Sequence, residues 1–111
     1  AAALGYLYTG PAWSVVRAAG AADRLRVACI GIGGKGGSDT DQAGKLMDVA
    51  ALCDIDADRL GKKAEQYPKA KTFHDWRALF DELTKQIDAV TVSTPDPSHA
   101  GPAVRAMRAG K

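Results

Sequence analysis

From Leu25 onward, short apolar runs alternate with amphipathic stretches. Leu25 to Ile30 reads as a short buried strand that ends at a glycine cluster. Thr40 to Met47 reads as a helix, with Ala43, Leu46 and Met47 on one face, and Val49 to Cys53 as a second strand. Asp56 to Gln66 predicts a helix with Leu60 and Ala64 inward and Asp56 at its N-cap. Lys71-Thr72-Phe73 is a brief third strand, and Asp75 caps a helix carrying Trp76, Leu79, Phe80 and Leu83. Ile87 to Ser93 is a fourth strand. The last helix runs from near Pro97 to Ala109, with Ala103, Ala106 and Met107 inward, and Gly110 stops it.

Each connection between strands is long enough for a crossover and too long for a hairpin. That pattern predicts an α/β fold, a parallel sheet covered by helices on both faces. At 111 residues the chain holds one such domain, expected over residues 25–111. With 15 Lys+Arg against 13 Asp+Glu, scattered along the chain, no basic face points to nucleic acid. Cys29 and Cys53 match neither a zinc spacing nor a disulfide framework. They read as small buried hydrophobes; neighbouring strands could set the two thiols close, but a bridge between parallel core strands would strain the ladder. No metal site is predicted.

Ahead of the alternation, Ala1 to Val16 carries no charge. The stretch is too short to span a bilayer but has the length of a signal-peptide core, and small residues follow at Ala18 to Ala22. Residues 1–24 are therefore expected to be the remnant of a signal peptide and a linker. A periplasmic or otherwise exported protein follows, carried folded by the twin-arginine route. The alternative is a cytoplasmic protein with an uninformative tail.

The glycine cluster, Gly31-Ile32-Gly33-Gly34-Lys35-Gly36, is a G-x-G-x-x-G that directly follows a strand. Gly31 permits the tight turn, Gly33 lets backbone approach a pyrophosphate, and Gly36 lets the next helix pack closely. The pyrophosphate then faces backbone N–H groups at the positive end of that helix. The motif lacks the G-K-[ST] ending of a P-loop, which argues against an ATP or GTP site. The second strand ends at Asp54, about 20 residues on, where a carboxylate accepts from both ribose hydroxyls. It repels a 2′-phosphate, so NAD is favoured over NADP. Strand, glycines, helix, strand and acid in this order predict a Rossmann-type doubly wound sheet that stops after its fourth strand and helix. Asp56 reads as a cap and Arg59 as solvent-facing. Asp39 and Asp41 are unfavourable near a pyrophosphate, and Lys35 offsets them or is simply solvated.

At the end of the fourth strand stands Ser93-Thr94-Pro95-Asp96-Pro97-Ser98-His99-Ala100. This stretch resembles the T-P-x-x-x-H signature of the glucose–fructose oxidoreductase, inositol dehydrogenase and MocA family (Gfo/Idh/MocA). Ala103 to Lys111, Leu52 to Asp56 and Ile87 to Val90 resemble that family's helix and strands, so the resemblance covers Leu25 to Lys111. It implies an NAD-dependent oxidoreductase that moves hydride between a sugar, polyol or related small alcohol and a nicotinamide cofactor. It places Thr94, Pro95 and His99 beside the cofactor, with Gly31 to Gly36 and Asp54. The family's catalytic lysine follows an Ala-Gly-Lys like that at Ala109 to Lys111, and its acid–base His and Asp lie in a second domain. No catalytic residue is therefore assigned here, and homo-oligomerisation is expected through that second domain. Asp96 departs from the Asn frequent in the family. His99, a residue type that handles protons near neutral pH, reads better as a wall of the site than as a catalyst. His74, Phe73, Trp76 and Phe80 read as packing. Two further readings remain open: a glycosidase of the same family that uses tightly held NAD, and a non-catalytic dinucleotide-binding regulator. A flavodoxin-like module fits the glycines and Asp54 less well.

Overall fold

The computed structural model describes residues 24–111. The expected leader over residues 1–24 lies almost wholly outside them. Strands β1 (Arg26–Ile30), β2 (Asp48–Cys53), β3 (Lys71–Phe73) and β4 (Ala89–Val92) alternate with helices α1 (Lys35–Leu46), α2 (Ala57–Gln66), α3 (Trp76–Leu83) and α4 (Asp96–Arg108). The sheet is parallel throughout, in the order β3-β2-β1-β4. The Rossmann-like α/β arrangement expected from the alternation is present. No helix among the described residues is long and apolar enough to cross a membrane.

Because side chains alternate along each strand, the sheet divides the core into two layers. On one face Ala28, Ile30, Ala51 and Cys53 pack with Leu79, Phe80 and Leu83 of α3, Ile87, and Ala106 of α4. On the other Val27, Cys29, Val49 and Leu52 pack with Ile32, Ala43 of α1 and Leu60 of α2. β1, flanked on both sides, is buried from Val27 to Ile30, whereas the outer strand β4 is half-buried along its length. The register sets Ile30 beside Cys53. Cys29 therefore points to the opposite face from Cys53, and the two thiols, both free, do not meet. The strands are neighbours, yet this alternation keeps the thiols apart, and both cysteines are the buried, unbridged residues expected.

Caps end the helices where the sequence marks them. Asp56 accepts from the N–H groups of Asp58 and Arg59, and Asp75 accepts from that of Arg77. Several boundaries and two faces differ from expectation. α1 begins at Lys35, inside the glycine cluster, and not at Thr40; β4 is confined to Ala89–Val92; α4 begins at Asp96. Gly36, Thr40 and Ala43 form the buried face of α1, and the Thr40 hydroxyl donates to the Gly36 carbonyl at 2.8 Å. Leu46, at the last turn, is 78% exposed. On α4, Pro102 and Ala106 face the core four residues apart, which turns Met107 outward, 66% exposed.

Candidate functional site

The carboxyl ends of β1, β2 and β4 meet at one rim of the sheet, where open α/β folds take their ligands. Gly31 leaves β1 with φ +78°, and its N–H donates to the Cys53 carbonyl at 2.8 Å. A Cβ here would stand 2.8 Å from the Ser93 carbonyl carbon and 2.9 Å from the Thr94 nitrogen. Only glycine fits between the ends of β2 and β4. At Gly36 a Cβ would lie 1.9 Å from the Gly31 oxygen, so the first turn of α1 packs directly on the end of β1. Ile32 is buried in the core below and anchors the loop.

No side chain caps α1: its N-cap is Gly34. The Gly36 N–H turns back to the Gly33 carbonyl at 3.0 Å and the Gly37 N–H to the Gly34 carbonyl at 3.1 Å, so what this helix start offers an anion is chiefly the positive end of its dipole.

Asp54 connects the loop to β2. Its carboxylate accepts from the Ile32 N–H at 3.0 Å and from the Asp56 N–H at 2.9 Å. Each oxygen keeps a further lone pair for a ligand hydroxyl. Beside it opens a cavity of about 850 Å³. Gly31, Gly33, Asp54, Thr94 and Pro95 line it, five of the residues expected at the site. The wall also includes Ile55, Arg59, Trp76 and Arg77, which sequence reasoning left out. Ile55 is 92% exposed, an apolar side chain directly after the acid. Arg77 stacks on the Trp76 ring at 4.4 Å. The Thr94 hydroxyl is buried and has no hydrogen-bond partner within the protein.

The other expected residues frame the cavity without lining it. Ile32 and Gly36 act through packing, and Gly34 faces open space. Lys35 is bonded to Asp39 one turn along α1. His99 is exposed, with Nδ1 3.4 Å from the Thr94 carbonyl. Arg59, read as solvent-facing, is exposed and at the same time lies across Gly33: its Nη1 is 2.7 Å from where a Cβ on that glycine would be.

The acids near the site are held by partners. The bond from Lys35, and then that from Ser93 Oγ at 2.8 Å, hold the Asp39 carboxyl below the usual carboxylate value. Asp41 faces away, bonded to Lys63 at 2.7 Å and to Tyr67, and Lys63 lowers its pKa in the same way. Burial, and then the Asp54 charge, push the Cys53 thiol up to about 12, so the sulfur beside the cavity is an unreactive wall.

A dinucleotide fits this set of groups. The loop after β1 is stripped of side chains, an acid stands at the end of β2, and a buried hydroxyl lacks a partner. Comparison with known proteins agrees. Residues 25–111 match the family described as "Oxidoreductase family, NAD-binding Rossmann fold". A glycosyl hydrolase family 109 protein of Solibacter usitatus (strain Ellin6076) is 36% identical over 98 residues, 78% of this chain and 22% of the relative. The chain thus spans less than a quarter of that relative's length. Among solved structures, the UDP-N-acetylglucosamine 3-dehydrogenase of Acidithiobacillus ferrooxidans superposes with a TM-score of 0.65 at 27% identity, over 79% of this chain and 28% of the other. The scyllo-inositol dehydrogenase of Lactobacillus casei, solved with NAD(H) and scyllo-inositol, superposes with a TM-score of 0.67 at 19% identity, over 80% and 26%. That likeness is one of fold.

Proposed function

We propose that this chain, which belongs to the Gfo/Idh/MocA oxidoreductase family, is the part of an NAD-dependent oxidoreductase that holds the cofactor and prefers NAD to NADP. The observation that carries the reading is Asp54, bonded to the Ile32 N–H inside the glycine loop and open to the cavity. A carboxylate so fixed accepts from the two hydroxyls of an adenosine ribose and repels a 2′-phosphate. Gly31 and Gly33 give the pyrophosphate access to backbone, and the start of α1, which no side chain caps, supplies the positive end of its dipole. Thr94 offers its hydroxyl from the β4 side, and Pro95 closes the wall. When bound, NAD supplies a hydride acceptor. The substrate class proposed is a sugar, polyol or related small alcohol, in keeping with the substrates in the names of the two dehydrogenases.

Titration of the full-length protein with each cofactor tests the preference. NAD is expected to bind at least about tenfold more tightly, a gap of about 1.4 kcal/mol. Asp54→Ser should narrow it. Equal or tighter binding of NADP rejects this role for Asp54.

A second reading has its own support in the family 109 relative: a glycosidase that keeps NAD bound through each turnover. It predicts cleavage of a glycoside with no net reduction of added NAD, and an oxidoreductase predicts net NADH formation from an alcohol.

A further inference from the structure

Arg59 stands on the first turn of α2, where Asp56 caps the helix through the Asp58 and Arg59 N–H groups. Asp54 in turn accepts from the Asp56 N–H. Acid, cap and guanidinium are thus joined in one short run of chain. The arginine side chain does not follow the helix surface outward. It lies over the glycine loop, with Nη1 2.7 Å and Cδ 2.8 Å from where a Cβ on Gly33 would stand. Its ion pair, Nε to Asp56 at 3.4 Å, joins an exposed side chain to a half-exposed carboxylate, and such a pair is weak. The Arg59 side chain is 62% exposed and lies close to the loop.

The other cations nearby are committed elsewhere. Lys35 is bonded to Asp39 and does not line the cavity. Arg77 is bonded to Asp75 and stacked on Trp76. Lys63 is buried against Asp41. Among the cations described, Arg59 is the one that lines the cavity and touches the glycine loop.

We propose that Arg59 is the side chain that neutralises the phosphates on the adenosine half of the dinucleotide, the charge role for which Lys35 is the obvious candidate by sequence. The proposal rests on the cofactor reading above. Without ligand the guanidinium rests on Gly33; an incoming dinucleotide displaces it from that contact and takes its donors. The absent Cβ at Gly33 then serves the arginine as well as the ligand. A planar guanidinium with five donors suits a phosphate oxygen pair better than an ammonium does. Two phosphate groups lie within the chemistry proposed, the pyrophosphate common to both cofactors and the 2′-phosphate of NADP alone.

The test is equilibrium binding of ADP-ribose, NAD, NADP and adenosine to the full-length protein and to its R59A, R59K and K62A variants. Lys62 is exposed on the same helix and controls for the general loss of one positive charge. R59A should weaken ADP-ribose and NAD by about tenfold or more, while adenosine changes by less than about twofold. R59K should recover part of the loss, and K62A should bind like the wild type. An equal loss for NAD and NADP puts the contact on the pyrophosphate, and a larger loss for NADP puts it on the 2′-phosphate. Wild-type affinity for ADP-ribose in a folded R59A protein overturns the proposal. A wild-type protein that binds neither ADP-ribose nor NAD overturns the cofactor reading itself, which separates the two failures.

Discussion

Of the three strand-to-helix junctions at the site, those after β1 and β4 are made in opposite ways. Between β1 and α1 the chain sheds side chains. Gly31 and Gly36 are there because backbone atoms stand 2.8 Å and 1.9 Å from where their Cβ atoms would be. Between β4 and α4 the chain presents side chains instead, and they bond little to the protein. The Thr94 hydroxyl has no partner, Pro95 is exposed, and His99 makes one long contact at 3.4 Å. The first junction is specified by backbone geometry that the fold itself requires. The second carries groups that the fold leaves unbonded. A position that the fold must satisfy and one that it leaves unbonded therefore fail differently when mutated.

The largest effect should come from the first junction. Gly36→Val forces a side chain into the Gly31 carbonyl and should cost about 3 kcal/mol or more. Urea unfolding should find the variant largely unfolded, and a native-like midpoint would show that α1 can lift away from β1. Gly33→Val separates binding from folding within that same junction. Its Cβ meets only the movable Arg59 side chain, so stability should change by less than about 1 kcal/mol, while NAD affinity falls by about a hundredfold or more. At the second junction the balance reverses. Thr94→Val removes a buried hydroxyl that has no partner, so the ligand-free protein should melt at the same temperature or higher. Its NAD affinity should fall about fivefold, near the 1 kcal/mol of one hydrogen bond. A clear loss of stability in ligand-free Thr94→Val would erase the contrast between the junctions.

The smallest effect concerns the tie between them. Asp39 of α1 accepts from Ser93 after β4, and its pKa is lowered in the folded state from an ordinary value of 3.8. A lowered folded value means stability that is present above the ordinary value and lost as pH falls through the folded one. Asp41 and Asp56, lowered by Lys63 and by the α2 backbone respectively, act in the same direction. Stability from these groups should be flat from pH 7 to 5 and decline below about pH 4. Asp39→Asn should make the decline shallower by a small amount in acid titrations followed by circular dichroism. An unchanged curve would mean that the tie contributes nothing.

The difference between the junctions also explains what sequence could reveal. Lys71–Phe73 and the caps at Asp56 and Asp75 are local signals, and each stands where it was read. The glycines and Asp54 are legible because only a few residue types meet their backbone and charge requirements. The start of α1 was missed because Gly36, Gly37 and Ser38 are weak helix formers, and packing against β1 overrides that preference. Met107 was misassigned by one residue: on a helix, one position is a turn of about 100°, enough to exchange core for solvent. Arg59 and Trp76 gave no local sign at all. An arginine on an exposed first turn looks the same whether it faces water or a loop 26 residues earlier, and only the tertiary fold distinguishes them.

The strand order has a consequence for how the molecule comes to exist. β1 is the first strand in the chain, yet it lies inside the sheet. Its contact with β2 closes across a single helix, with the Ile32–Asp54 bond spanning 22 residues. Its contact with β4 must wait for the chain to return, as in the Arg26–Asp88 bond across 62 residues. Because long loops close late and at greater entropic cost, β1, α1 and β2 are placed to form the early nucleus. Gly31 can settle against Ser93 and Thr94 only after β4 docks. The crevice between β1 and β4 is therefore expected to be the last part of the sheet to assemble and the first to come apart. A dinucleotide bound across it would slow unfolding far more than it would speed folding.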